Sequence, residues 1–466
     1  MSLSTSSWKV FWSSNMSKIG VVLLILYIGI SVYVVVFYPL DFGTRFWNNP
    51  SYWADNPREA PPEWTAFFTT SSPPRHMVFR LEKPSEYTVT RFRYSYPGFP
   101  SFVSLTVSGV TYSSRPPTLL FELVRPDGKV VPFYVLSVSR PLPGEQPPYK
   151  RHYETPLRVF VSGDPDASSF VSRFLRNEYG LEVAPDEVLR TGVERYIFGE
   201  FVNGELVPLT GDYVLAVTVS KADEMDTVDE VKVVFGGRVY GVLGTDRLGR
   251  DLATGLLFGF PVSLLVGFVT ASLTTAIGSL LGMFSGYIGG KTDTIIQRTC
   301  DILNNIPLLP LLIFFTFILR PSIWIIIAIL VAFGWSGLAI IVRNIVMQAK
   351  TAQFVESAES IGVPRGRILR RYIFPQIAPF LIAQLIFSTP SAILAEAALS
   401  FLGLGDPSLP SWGQILEYAF RSGGVNLGLW WWVLPPGALI ALLSFTFVML
   451  SMGLEPVVSP RLRRMI

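Results

Sequence analysis

Two patterns alternate along the chain. Long, predominantly apolar runs occupy residues 19–40, 260–286, 302–319, 323–342, 377–402 and about 432–454. A helix needs about 20 such residues to traverse hydrocarbon roughly 30 Å thick, so these runs predict six membrane-spanning helices. Residues 41–240 contain no such run and instead alternate with period 2 over Tyr87–Tyr96, Leu119–Val124, Val130–Val138 and Tyr213–Val219. That alternation predicts half-buried strands. Arg125-Pro126-Asp127-Gly128 joins two of them as a turn, because proline presets one dihedral and glycine allows positive φ; Asn203-Gly204 is a second turn. Asp164–Tyr179 reads as one helical interruption. About 200 residues suffice for an independent core. The expected fold is an all-α polytopic membrane protein of six helices with an inserted, mainly-β, sandwich-like domain at 41–240 and a membrane core at 241–466.

Composition narrows the class. Half the residues are hydrophobic and only 16% are charged, against about 25% in soluble domains, which makes this an integral membrane protein. A net charge of +3 is too small and too scattered for a nucleic-acid partner. Cys300 is the single cysteine, so no disulfide closes within the chain. His76 and His152 are the only histidines, no second ligand type is spaced for a metal, and each reads as an ordinary surface residue. Lys9 and Lys18 in the stretch 1–18 place the N-terminus inside and make residues 19–40 a retained anchor. Six crossings then put the C-terminus inside too, with Arg461, Arg463 and Arg464, and leave the β domain outside.

One polar stretch, Thr351–Pro375, interrupts the apolar runs. Phe354, Ala358 and Ile361 share one helical face, Gly362 supplies a left-handed cap, and Pro364 opens a second helix carrying Arg365, Arg367, Arg370 and Arg371. A small apolar face that its own loop cannot cover needs a partner. Glu356, Ser357, Ala358, Gly362 and Ile373-Phe374-Pro375 resemble the EAA loop of ABC importer permeases, with Ser357 and Phe374 as mild departures. The octet Gly244-Thr245-Asp246-Arg247-Leu248-Gly249-Arg250-Asp251 precedes the second crossing, and Thr245 or Asp246 is placed to cap a short lead-in helix. Together with Ser263–Gly267, Glu396–Gly405 and Pro410-Ser411-Trp412-Gly413, it resembles the dipeptide/oligopeptide/nickel branch of that family. Gly267, Gly278 and Gly282 are spaced for close helix contact, and Trp430, Trp431 and Trp432 suit a membrane interface. Glu396 is a candidate for the pore or for helix packing, and its place near the outer end favours packing.

Gly290-Lys291-Thr292 imitates part of a phosphate-binding loop, but Ser285 stands where the first glycine belongs and no buried strand precedes it, so an ATP site is not expected here. The resemblance implies the second-type permease of an ATP-driven importer in the cell membrane. It implies a heterodimer with another permease, two cytoplasmic ATPase subunits that carry ATP and Mg, a solute-binding protein outside, and no cofactor on this chain. The cargo it implies is a peptide, an oligosaccharide or a nickel complex. For the outer domain, a functional role (contact with the binding protein or cover over the translocation entrance) and a purely stabilising or spacing role stay equally open. Two other classes are weighed. A secondary transporter would need more intramembrane charge than Glu396, and a tethered receptor would need only one anchor.

Overall fold

The computed structural model describes residues 11–69 and 72–458. Lys9, Arg461, Arg463 and Arg464 lie outside the described residues. The chain folds as two compact units, Pro50–Ala253 and the remainder.

Helix α1 (Asn15–Phe37) leads in, and the β-rich unit follows. Two antiparallel sheets share one core. The first runs β1 (Met77–Glu82), β11 (Thr227–Phe235), β3 (Val103–Tyr112), with the short β6 (Tyr149–Arg151) and β7 (Leu157–Phe160) pairing successive parts of β3. The second runs β2 (Tyr87–Tyr94), β10 (Gly211–Ser220), β4 (Thr118–Val124), β5 (Val130–Ser137). Leu105 and Val107 of β3, Val231 and Val233 of β11, Phe121 and Leu123 of β4, and Leu215 and Val217 of β10 are all fully buried in one cluster. That is the inner face of a sandwich, in which alternate residues from both sheets interdigitate. The four predicted strands are present. The Arg125–Gly128 turn joins β4 to β5, held by Arg125, whose Nη2 donates to Asp127 (2.9 Å) and to the Tyr179 hydroxyl (3.0 Å). Asn203 (φ +51°) and Gly204 (φ +85°) turn β8 (Gly199–Val202) into β9 (Glu205–Pro208), both in the left-handed region that a primed turn demands. The predicted helix is α2 (Pro165–Tyr179), capped by Asp164, and α3 (Pro185–Thr191) and α4 (Val193–Ile197) follow it. His76 departs from the surface reading: it is half-buried, Gly237 N–H donates to its Nδ1, and desolvation, against Asp55, lowers its pKa to about 4.

The second unit is helical. Helix α5 (Leu252–Ile288) is followed by α6 (Gly290–Asn305), α7 (Leu308–Ile318), α8 (Ile323–Lys350), α9 (Gln353–Ser360), α10 (Arg365–Phe401), α11 (Trp412–Arg421) and α12 (Trp430–Val458). Among the described residues, α1, α5, α8, α10 and α12 are long and apolar enough to cross a membrane. The run expected to cross at 302–319 is not one helix. Ile306 (ψ 123°) and Pro307 (ψ 114°) are extended and separate α6 from the 11-residue α7. A residue before proline is pushed out of the helical region, and proline has no N–H to continue the ladder. At about 1.5 Å per residue, α7 alone is roughly half the thickness of the hydrocarbon.

Close packing is set by small residues. A Cβ on Gly278, Gly282 or Gly286 of α5 would lie 2.6–2.8 Å from a backbone carbonyl of α8, so the two helices touch backbone to backbone. On the other side, Gly20 of α1 meets Leu450, and Gly453 of α12 meets Ser17. The tryptophan trio divides: Trp430 is 39% exposed, whereas Trp432 is buried against Tyr418 and Trp431 is buried too. Trp412 is also buried, lies against Gly259 and donates its Nε1–H to the carbonyl of Leu256 (2.8 Å).

Candidate functional site

The polar stretch folds as a helix, a left-handed glycine and a second helix. Helix α9 ends at Ser360, and Gly362 takes φ +79° while its N–H donates to Glu359 O (2.9 Å). Val363 N–H then reaches back to Ala358 O (3.1 Å), which satisfies the last orphan carbonyls. Pro364 (φ −63°, ψ 141°) caps the next helix. That helix passes through a π turn at Leu369–Ile373 into the long body of α10. The wider turn absorbs Pro375, which lacks an N–H and would crowd the carbonyl four residues before it.

The apolar face expected from Phe354, Ala358 and Ile361 is split. Ala358 is 3% exposed and Val355 fully buried, and both pack with Met283 and Tyr287 of α5, Val342 and Val346 of α8, and Ile373 and Ile377 of α10. The loop's inner face is therefore covered by the chain's own helices, and the short side chain of Ala358 lets α9 approach them. Phe354 (41%) and Ile361 (80%) remain exposed, with Glu356 and Ser357 beside them. Because α9 stops at Ser360, Ile361 leaves the helical register and points away from the cluster. Pro375 is exposed at the base of α10.

A polar network anchors this segment and is not legible in any motif. Arg343 of α8 grips Asp293 of α6 with both Nε and Nη2 (2.5 Å each), Ser285 of α5 donates its hydroxyl to the same carboxylate (2.5 Å), and Gln297 donates to Ser285 (3.0 Å). Three helices are thereby tied at one level. Tyr287 donates its hydroxyl to Glu359 of α9 (2.8 Å), and the Lys350 ammonium donates to Tyr287 O (2.9 Å). The Arg343 guanidinium, aided by Ser285, holds the Asp293 carboxyl below its ordinary range against the opposing effect of burial. The bonus from the ionised pair is therefore full above the ordinary aspartate pKa of about 3.9 and is lost as pH falls through the lower folded value. Asp293→Asn should lower the chain's stability by about 1–3 kcal/mol at neutral pH, as for a partly buried charge-assisted pair. Thermal unfolding of both proteins in detergent checks this, and the gap should begin to narrow as pH falls below about 3.9 and close once Asp293 is protonated in the folded state.

The octet at 244–251 does not build a lead-in helix. It folds as a buried knot that packs with residues 53–60 in the β-rich unit, so residues 241–253 lie outside the helical unit to which the sequence reading gave them. Thr245 donates its hydroxyl to Pro57 O (2.7 Å) and accepts from Ala60 N–H (3.0 Å). Asp246, fully buried, accepts the N–H groups of Leu248 (2.8 Å) and Arg250 (2.9 Å) and pairs with the Arg250 side chain. Asp246 thus closes its own turn rather than capping a helix. Gly244 (φ +73°) and Gly249 (φ +78°) make the tight path, and a Cβ on Gly249 would press on the carbonyls of Trp53 and Asn56 at 3.0 Å. Asp251 accepts from Ala253 N–H (3.3 Å), at the start of α5. Glu396 of α10 is 4% exposed and accepts the Ser400 hydroxyl (2.6 Å). It lies in the packing of α10 rather than on an open surface. An open apolar groove of about 640 Å³ lies between α5 and α10, lined by Ser272, Thr275, Ser279, Leu369 and Phe374 among others.

Comparison with known proteins covers this helical half. Residues 278–464 match the family described as binding-protein-dependent transport system inner membrane component. The chain is 36% identical over 222 residues to the dipeptide transport system permease protein DppC of Bacillus subtilis, covering 47% of this chain and 69% of that protein. It is 35% identical over 223 residues to the oligopeptide transport system permease protein OppC of Haemophilus influenzae, covering 48% of this chain and 71% of the relative. A solved structure of the MetNI methionine ABC transporter in an inward-facing conformation aligns with 42% of this chain and 94% of that one, at 19% identity and a TM-score of 0.33. With a matched region that includes the whole helix–glycine–helix segment, the chain belongs to the binding-protein-dependent transport permeases and is a multi-pass permease subunit of an ABC importer.

Proposed function

We propose that this permease carries peptides, and that α9, Gly362 and the first turns of α10 form the cytoplasmic lever by which a partner ATPase drives transport. One observation carries the reading. The inner face of α9 (Val355, Ala358) is locked to three crossing helices, while Phe354, Ile361 and Glu356 are left facing outward. A body seated on those outer residues moves α5, α8 and α10 together. ATP and Mg belong to the two ATPase subunits, so energy enters through contact. An equilibrium between inward- and outward-open states shifts only by the difference in affinity for the two, and the lever is where that difference acts. The peptide cargo is supported by the dipeptide and oligopeptide relatives, and a binding protein outside delivers it. The groove between α5 and α10 is the face offered to the second permease, and both termini lie inside, with the run 302–319, broken at Pro307, supplying the remaining passage.

Gly362→Val tests the lever. Nothing lies within 4 Å of the added Cβ, so the penalty is backbone strain alone, about 1–2 kcal/mol for a left-handed non-glycine residue. Peptide import by the reconstituted complex should fall roughly tenfold at that cost, while ATP hydrolysis and subunit composition persist. Gly362→Asn, which tolerates this conformation, should import close to normal. Wild-type import by the valine variant would remove the lever from the mechanism.

A further inference from the structure

The β-rich unit holds an aromatic tip that its core does not use. A 3-10 helix, Glu63–Phe68, leaves Phe67 82% and Phe68 83% exposed, with Trp64 at 41%. The tip is fixed in place. Trp64 Nε1–H donates to Val242 O (2.9 Å), Glu63 N–H donates to Gly241 O (2.9 Å), and Gly241 N–H donates back to the Glu63 carboxylate (3.2 Å). Val242 is itself 68% exposed. The tip is thus pinned to the segment that runs through the buried 244–251 knot into Leu252, the first residue of a crossing helix. Strand β11 is nine residues long, roughly 30 Å at the rise of a strand, and its end remote from Gly241 leads to the exposed Met225.

Two phenylalanines left in water forgo about 1.5–3 kcal/mol each. A protein partner is one remedy, but the composition favours lipid. Residues 60–69 carry a single charge, Glu63, and its carboxylate is already engaged by Gly241. Tryptophan with a bonded Nε1–H beside apolar rings is the side-chain set that settles at a membrane–water boundary. Ten residues beyond Val242 the chain begins α5, the helix that carries the next crossing run. We propose that Trp64, Phe67, Phe68 and Val242 form a lipid-facing foot that seats the β-rich unit on the bilayer surface.

The test uses the full chain in lipid nanodiscs, with the buried Cys300 removed as Cys300→Ala and one nitroxide attached at Phe68→Cys or at Met225→Cys. The label at 68 should collide more readily with oxygen, which concentrates in lipid, than with a water-soluble nickel chelate, and the label at 225 should show the reverse preference. A label at Val242→Cys should switch from the oxygen to the nickel preference when Phe67→Asp and Phe68→Asp are added; both side chains are exposed, so the fold tolerates the change. Water-type behaviour at 68, shielding of 68 from both reagents by a protein, or no switch at 242 would each overturn the proposal.

Discussion

Phe354→Asp with Ile361→Asp should strip the ATPase subunits from the purified importer while leaving this chain folded. Both side chains are exposed, at 41% and 80%, and neither belongs to the cluster that holds α9 in place. Burying each against a partner is worth about 1.5–3 kcal/mol, so losing both weakens association by about 3–6 kcal/mol. That is roughly a hundredfold to a ten-thousandfold in the dissociation constant. Co-purification and direct titration of the ATPase measure it, with thermal unfolding of the chain as the control. Ala358→Asp should behave oppositely: it forces a charge into the packed cluster and unfolds the lever itself. Retention of the ATPase at wild-type affinity by the double variant would mean that the contact lies elsewhere.

Gly282→Leu should abolish the assembled helical unit. The added Cβ would sit 2.6 Å from Ala339 O and 2.8 Å from Val342 Cβ, and the rest of the leucine has nowhere to go. Overpacking in a core usually costs about 1–3 kcal/mol, and here backbone must move, so the upper end or beyond applies. Separation of α5 from α8 also draws Ser285 away from Asp293 and Arg343, adding the loss of the network that ties three helices. Gly337→Leu, on an open face of α8 with nothing within 4 Å, should be tolerated. Fluorescence-detected gel filtration of the two variants separates the outcomes, and a monodisperse, wild-type-like Gly282→Leu would refute the backbone-contact account.

The pattern of the chain alone decided much of this. Run lengths of apolar residues mark α1, α5, α8, α10 and α12, because hydrocarbon thickness imposes a minimum that few soluble sequences reach. Period-2 alternation found β2, β4, β5 and β10, whereas β3 and β11 hid. Val103–Ser108 of β3 in fact alternates until Gly109 shifts the phase, and the adjacent pair Asp229-Glu230 breaks the alternation of β11, although both strands lie central in their sheet. Gly362 was legible because a left-handed cap followed by proline has few other uses. Tertiary structure decided the rest. It placed Ala358 inward and Ile361 outward, since the exit of the chain from α9 is set by packing on α5 and α8. It joined Asp293 to Arg343 across fifty residues, and it turned the 244–251 octet into a buried knot on residues 53–60. Local sequence fixes which conformations are cheap, but burial and pairing between distant segments are properties of the assembled chain, and no periodicity encodes them.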